Sequence, residues 1–248
     1  MDKDFNFYLK YLGASEQAIT SGKRVFSSSF RGKPESELTV NVHDLLVSVF
    51  NETLIHSINR DLMEEYRKYA PRQLSDDLIE QVDDAFFQVC GYRYYWISEW
   101  FRYSTNLSFD ASSDITVLTE SHRDMIETGK KARRGRLFRD HVWVNTYSPQ
   151  LLEGRITAVI KDGNIVSYSS VTDLPFNASN IAVWTHDEYR KRGYGSLCVK
   201  QAVNWCARNN RIPIYLASSS NTASIGLAEK LGFDMFAREI RTTVNVQL

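Results

Sequence analysis

The chain has 248 residues, with 30 basic and 30 acidic side chains, 43% apolar residues and 24% charged ones, which is the make-up of a folded globular protein and excludes a disordered or low-complexity one. No apolar run approaches the ~20 residues that span a bilayer, and the acidic start MDKDFNFYLK lacks the basic region and apolar core of a signal peptide, so a cytoplasmic protein without a membrane partner is expected. Cys90, Cys198 and Cys206 are odd in number and, like the five scattered histidines, lack metal-ligand spacing, so neither a disulfide framework nor a metal site is expected.

Charge is unevenly placed. Residues 1–110 hold 12 basic and 17 acidic side chains, and the remainder holds 18 and 13. The basic half is expected to meet an anion, and so modest an excess suits a phosphate-bearing small molecule better than a nucleic acid.

In chain order, Leu46, Phe50, Leu54, Ile58, Leu62 and Tyr66 recur every four positions, which predicts an amphipathic helix between Val42 and Tyr69, ended by Pro71. Ser75 with Asp76 and Asp77 reads as the start of a second helix, with Leu78, Val82, Ala85, Phe86 and Val89 on one face and Gly91 as its stop. The aromatic stretch Tyr92 to Tyr103 reads as a third helix and as core. Residues 1–110 are therefore expected to form a mainly α-helical domain, and no catalytic signature falls in them.

From about residue 111 the texture changes. Ile115 to Thr119 reads as a strand and His122 to Arg134 as a short helix running into the basic segment Lys130 to Arg139. Ile156 to Ile160 and Ile165 to Val171 flank Asp162-Gly163-Asn164, the signal of a tight hairpin, because Asp-Gly supplies the positive φ values such a turn needs. Asn180 to Thr185 reads as a short central strand, Cys198, Val199, Ala202, Val203 and Cys206 as one helical face, Ile214 to Ala217 as a strand, and Thr222 to Leu231 as a helix ended by Gly232.

Between the Asn180 strand and the following helix lies Arg190-Lys191-Arg192-Gly193-Tyr194-Gly195-Ser196. Glycines at 193 and 195 remove the Cβ atoms that would block a ligand, and the amides of Gly193, Gly195 and Ser196 stand at the positive end of a helix dipole, an arrangement that binds a pyrophosphate. A plain strand-to-helix connection also uses glycine, so the loop alone does not decide. Neither GxxxxGK[ST] nor GxGxxG is present, which removes the Walker and Rossmann readings.

The segment VWTHDEYRKRGYGS, followed some thirty residues later by NTASIGLAEKLGF, resembles the acetyl-CoA-binding core of the GNAT superfamily, in the form of bacterial members with an extra N-terminal domain. The resemblance covers roughly residues 150–240. It implies an α/β domain over 111–248, with a central mixed β-sheet flanked by helices and splayed near the phosphate loop, preceded by the helical domain of 1–110. It implies acetyl-CoA as cosubstrate, with Arg190, Lys191, Arg192, Gly193, Tyr194, Gly195 and Ser196 around the pyrophosphate. The strand residues Ala182, Val183 and Thr185 would lie along the pantetheine arm, and Asn221 would reach the CoA.

Two positions depart from the family pattern. Ala228 stands where many members carry a tyrosine acid, and Asn180 where many carry a glutamate base; neither can do that work near neutral pH. Asp173, at the end of the neighbouring strand, is the substitute candidate for the base, ahead of Glu153 and Glu120, against a reading as a solvated turn residue beside Pro175. The expected activity is transfer of an acetyl group to a primary amine of a small molecule such as an amino acid, polyamine or antibiotic. A protein or aminoacyl-tRNA acceptor, which the Lys130 to Arg139 run would favour, and a non-catalytic acyl-CoA sensor stay open. A homodimer is allowed.

Overall fold

The computed structural model describes residues 5–33, 41–90, 94–126 and 148–245. Its elements begin with α1 (Asn6–Leu12), α2 (Glu16–Thr20), β1 (Val25–Ser27), β2 (Asn41–Val42), β3 (Leu45–Phe50), β4 (Thr53–Ile58), α3 (Met63–Tyr66), α4 (Leu78–Cys90), β5 (Tyr95–Ser104) and β6 (Thr116–Val117). They continue with α5 (Ser148–Leu152), β7 (Ile156–Lys161), β8 (Asn164–Asp173), β9 (Ala178–Thr185), α6 (Tyr194–Arg208), β10 (Ile212–Ser218), α7 (Thr222–Lys230) and β11 (Asp234–Asn245). Two compact units result: Met1–Tyr103 with Ala217–Ile225 and Met235–Leu248, and Ser104–Leu216 with Gly226–Asp234.

In the first unit the strands run in the order β1-β4-β3-β11-β5, with β2 also on β11. The helical share of this unit is modest. The helix expected over 42–69 is instead the β3–β4 hairpin, closed by Asn51 and Glu52 at φ 47° and 58°. Its register pairs Leu45 with Ile58 and Val49 with Leu54. Leu46 and Phe50 therefore lie on one face of the sheet and Leu54 and Ile58 on the other, so the four-residue stripe is divided between two faces. The intervening Leu45, Val47 and Ile55 are buried as well, and a run apolar at nearly every position is what a strand covered on both faces requires. The aromatic stretch is likewise a strand, β5, as the preference of Tyr, Trp and Ile for a pleated surface favours. The helix expected from Leu78 is present as α4, and Leu78, Val82, Ala85 and Phe86 bury its apolar face against Leu45, Val47, Leu54, Ile58 and Ile240. On the opposite face, Tyr8 of α1 donates to Glu239 Oε1 at 2.6 Å and lies 2.8 Å from Ser48 Oγ.

The second unit carries the mixed sheet expected of residues 111–248, in the order β10-β9-β8-β7-β6. β6, β7, β8 and β9 pair antiparallel, and β9 with β10 parallel. The Asp162-Gly163 turn joins β7 and β8 with both φ values positive, 49° and 74°. Helix α6 packs on one face of β7, β8 and β9, with Cys198 buried against Val159 and Val166. The other face is covered in part by Leu118, Ile126 and Leu151 over Ile156 and Ala158. Of the helix expected over His122 to Arg134, His122 ends a 3-10 turn, Arg123 to Ile126 are helical, and residues 127–134, with the basic run to Arg139, lie outside the described residues.

Candidate functional site

The register of β9 with its two neighbours creates the opening. Along β8 the pairing is unbroken from Asp173↔Ser179 to Ser167↔Thr185. Along β10 it runs only from Ile212↔Ala178 to Tyr215↔Ile181. Residues 182–185 thus leave the second ladder while held by the first, and their backbone groups on the β10 side are open to a partner, as at any strand edge. Ala182 is exposed, and Val183, Trp184 and Thr185 are half-buried.

The loop after β9 ends where α6 begins. Lys191 and Gly193 both take positive φ, 60° and 86°, and Gly193 is the N-cap of α6, which has no side-chain cap. The first amides of a helix have no intrahelical acceptor, so the N-terminus of α6 presents unpaired donors backed by the helix dipole. A Cβ on Gly193 would project into open space, whereas one on Gly195 would come within 3.1 Å of Thr185 Oγ1. Gly193 thus leaves the space before the helix start open, and Gly195 lets the helix start approach the end of β9. The surroundings are cationic: the Arg192 guanidinium lies 5.2 Å from the Tyr189 ring centre, the Lys161 ammonium 5.8 Å from that of Tyr194, and exposed Arg190 pairs with Asp187 at 2.7 Å. A cradle of amides and cations beside an open strand edge is suited to a long ligand with a phosphate at one end and amides along its length.

The family model for GNAT acetyltransferase matches residues 145–238. Over those residues the chain is similar to the GNAT acetyltransferases. Among relatives, the uncharacterized N-acetyltransferase YdfB of Bacillus subtilis (strain 168) is 29% identical over 89 residues, which are 36% of this chain and 34% of YdfB. Among solved structures, a GNAT-family acetyltransferase from Colwellia psychrerythraea superposes with a TM-score of 0.51 at 9% identity, over 66% of this chain and 62% of that one, a likeness of fold. The chain spans about a third of the length of the first relative and under two thirds of the second.

Within the matched residues the structure brings Ala182, Val183, Thr185 and the loop Arg190, Lys191, Arg192, Gly193, Tyr194, Gly195 and Ser196 to one end of β9 and α6. Asn221 belongs to the other compact unit; there its Oδ1 accepts the Ser224 amide at 3.1 Å and starts α7. Asp173 lies at the far end of β8, opposite Ser179. Its carboxylate pairs with Arg155 at 2.9 Å and with Arg211, and Arg211 also donates to Ser179 Oγ at 3.0 Å. Asn180 stands one residue before the last β9–β10 pair, and its Oδ1 is buried without a hydrogen-bond partner. Ala228 is fully buried in α7. His186 caps the turn before the loop, its Nδ1 accepting the Glu188 amide at 3.3 Å. Ser218 and Ser220 bond to each other at 3.0 Å, and Glu153 pairs with Arg155.

Two residues that the sequence did not single out position the site. Fully buried Ser167 donates to the Trp184 carbonyl at 3.0 Å, which leaves its oxygen to accept from Thr185 Oγ1 at 2.9 Å. Ser169 donates to the Cys198 carbonyl at 2.8 Å and so ties α6 to the sheet. Only the hairpin register, which sets Ser167 opposite Thr185, could have pointed to them.

Proposed function

We propose that the domain moves an acetyl group from acetyl-CoA to a primary amine. The observation that supports this most is the uncapped start of α6 at Gly193, next to the stretch of β9 that has left β10. In this reading the amides of Gly193, Tyr194, Gly195 and Ser196, with Arg190, Lys191 and Arg192, hold the pyrophosphate, and Ala182 to Thr185 pair with the pantetheine arm like an added strand. The amine nitrogen attacks the thioester carbonyl, and backbone N–H groups of β9 stabilise the oxyanion. A small-molecule amine is the first choice of acceptor, since residues 1–110 are acidic and rich in aromatic side chains. Asp173, expected as the base, is held by Arg155 and Arg211, so in this reading the amine proton passes to water. Free-thiol release from acetyl-CoA, followed over a panel of amines, tests the reading; binding without release with every amine would favour an acyl-CoA sensor, to which Asn180 and Ala228 also lend themselves.

A further inference from the structure

Helix α4 and the short stretch after α3 enclose a cleft of about 330 Å³, lined by Tyr69, Pro71, Gln81, Asp84, Ala85 and Gln88. The cleft lies wholly within the first unit. Positions 81, 84, 85 and 88 are three or four apart and so make one stripe of α4, about 10 Å long. Ala85 is 3% exposed and belongs to the core with Tyr66, Val82 and Phe86. Pro71 is buried too, with its carbonyl oxygen 3.0 Å from His56 Nε2. These two form the floor. Tyr69, 44% exposed, and the exposed Asp84 and Gln88 stand around it.

The polar groups around the cleft are mostly acceptors. Asp84 has no hydrogen bond or ion pair among the described residues, and neither has Gln88. Gln81 donates from Nε2 to Asp77 Oδ1 at 2.9 Å; a carboxylate only accepts, so the end of Gln81 left over is its carbonyl oxygen. From Gln73 to Cys90 the chain carries Asp76, Asp77, Glu80, Asp83 and Asp84 and no basic residue. Arg67 and Lys68 are engaged with Glu64 and Glu65, and exposed Arg72 does not line the cleft. The field there favours a cation. One free carboxylate, one carboxamide oxygen and one aromatic ring suit a single charge rather than several, and the volume is at the small end for a small-molecule site.

We propose that this cleft binds a small guanidinium compound of about the size of arginine. A guanidinium is flat, permanently charged, and has five N–H donors and no acceptor. It can lie on the Tyr69 ring, take Asp84 as its counter-charge and give a further N–H to the Gln81 oxygen, while its alkyl stem covers Ala85 and Pro71. An alkylammonium of equal charge is a compact point with three donors and a stronger hold on water, so it gains less from the same ring and carboxylate. The site goes beyond acetyl transfer and does not rest on it: absence of thiol release with every amine would leave it untouched.

The test titrates the full chain, without acetyl-CoA, with n-butylguanidine and n-butylamine, which share charge and stem, and reads binding by saturation-transfer NMR. n-Butylguanidine should bind at least about 3-fold more tightly than n-butylamine, and L-arginine should displace it. Asp84→Asn should weaken n-butylguanidine about 3- to 10-fold and Tyr69→Ala about 3-fold, while Tyr69→Phe, which keeps the ring, should stay within about 2-fold. Glu80→Gln removes a charge of the same helix that does not line the cleft, and it too should stay within about 2-fold. Melting temperatures establish that each variant is folded; should Tyr69→Ala melt early, Asp84→Asn against Glu80→Gln decides. Equal affinity for the two probes, or equal losses in Asp84→Asn and Glu80→Gln, would overturn the proposal, as would unchanged binding in a folded Tyr69→Ala.

Discussion

Gly193 has space where a side chain would begin and a φ of 86°, so Gly193→Asp adds a carboxylate to the open space before the α6 amides. It should weaken acetyl-CoA binding at least about 100-fold, while Gly193→Ala, which carries the backbone strain without the charge, should lose far less; titration calorimetry on both reads the difference. For Asp173 the two roles separate in Asp173→Asn. A base would lose about 10²- to 10⁴-fold in turnover, recovered as pH rises, whereas a brace for Arg155 and Arg211 would lose melting temperature with turnover intact. Its two guanidinium partners make the second outcome the expected one. His56 offers a pH test of a different kind. Its ring is buried, with Nδ1 2.9 Å from the Tyr66 hydroxyl and Nε2 3.0 Å from the Pro71 carbonyl, and burial lowers its pKa to about 4. An unfolded chain binds that proton near pH 6.5, so stability should be full above that pH and fall as pH drops from 6.5 towards 4. Urea midpoints against pH, with His56→Gln removing part of the slope, measure it. The glycines were legible in the sequence because positive φ and close approach leave few other residues. The facing of Asp173 was not, because it depends on a register fixed by strands on either side.

Elements were legible where a turn carries its own chemistry. Asp162-Gly163 declares the β7–β8 hairpin, and the order of strand, loop and helix around Gly193 follows from it. The β3–β4 hairpin hid because Asn51-Glu52 lacks glycine, and because apolar residues four apart fit a strand as well as a helix when the positions between are also apolar. Strand β11 gave no clear pattern, since Glu239 and Arg241 are charged yet buried. Between elements, the Ser167 hydroxyl fixes the end of β9 through two hydrogen bonds. Ser167→Ala should therefore cost about 1–3 kcal/mol, measured by urea unfolding, and should weaken acetyl-CoA binding by loosening Thr185.

At the scale of the molecule, the last strand of the chain lies between β3 and β5 in the first unit. Glu239 of β11 is fully buried with Arg102 at 2.8 Å and with Arg241. Burial alone would push its carboxyl up, but the two guanidinium groups hold it well below the usual carboxylate range. A fragment of residues 1–110 lacks this strand, leaving Arg102 buried without its counter-charge, and should show no cooperative melt by circular dichroism; a cooperative melt would support independent folding of those residues. If the start of α6 and the open end of β9 form an acetyl-CoA site, the thermal midpoint of the full chain should differ with and without excess acetyl-CoA. A ligand at about 100 times its Kd adds about 2.7 kcal/mol, on the order of 5 to 10 °C for a chain of this size. A rise of that order is expected, and an identical midpoint at saturating acetyl-CoA would show that no such site exists.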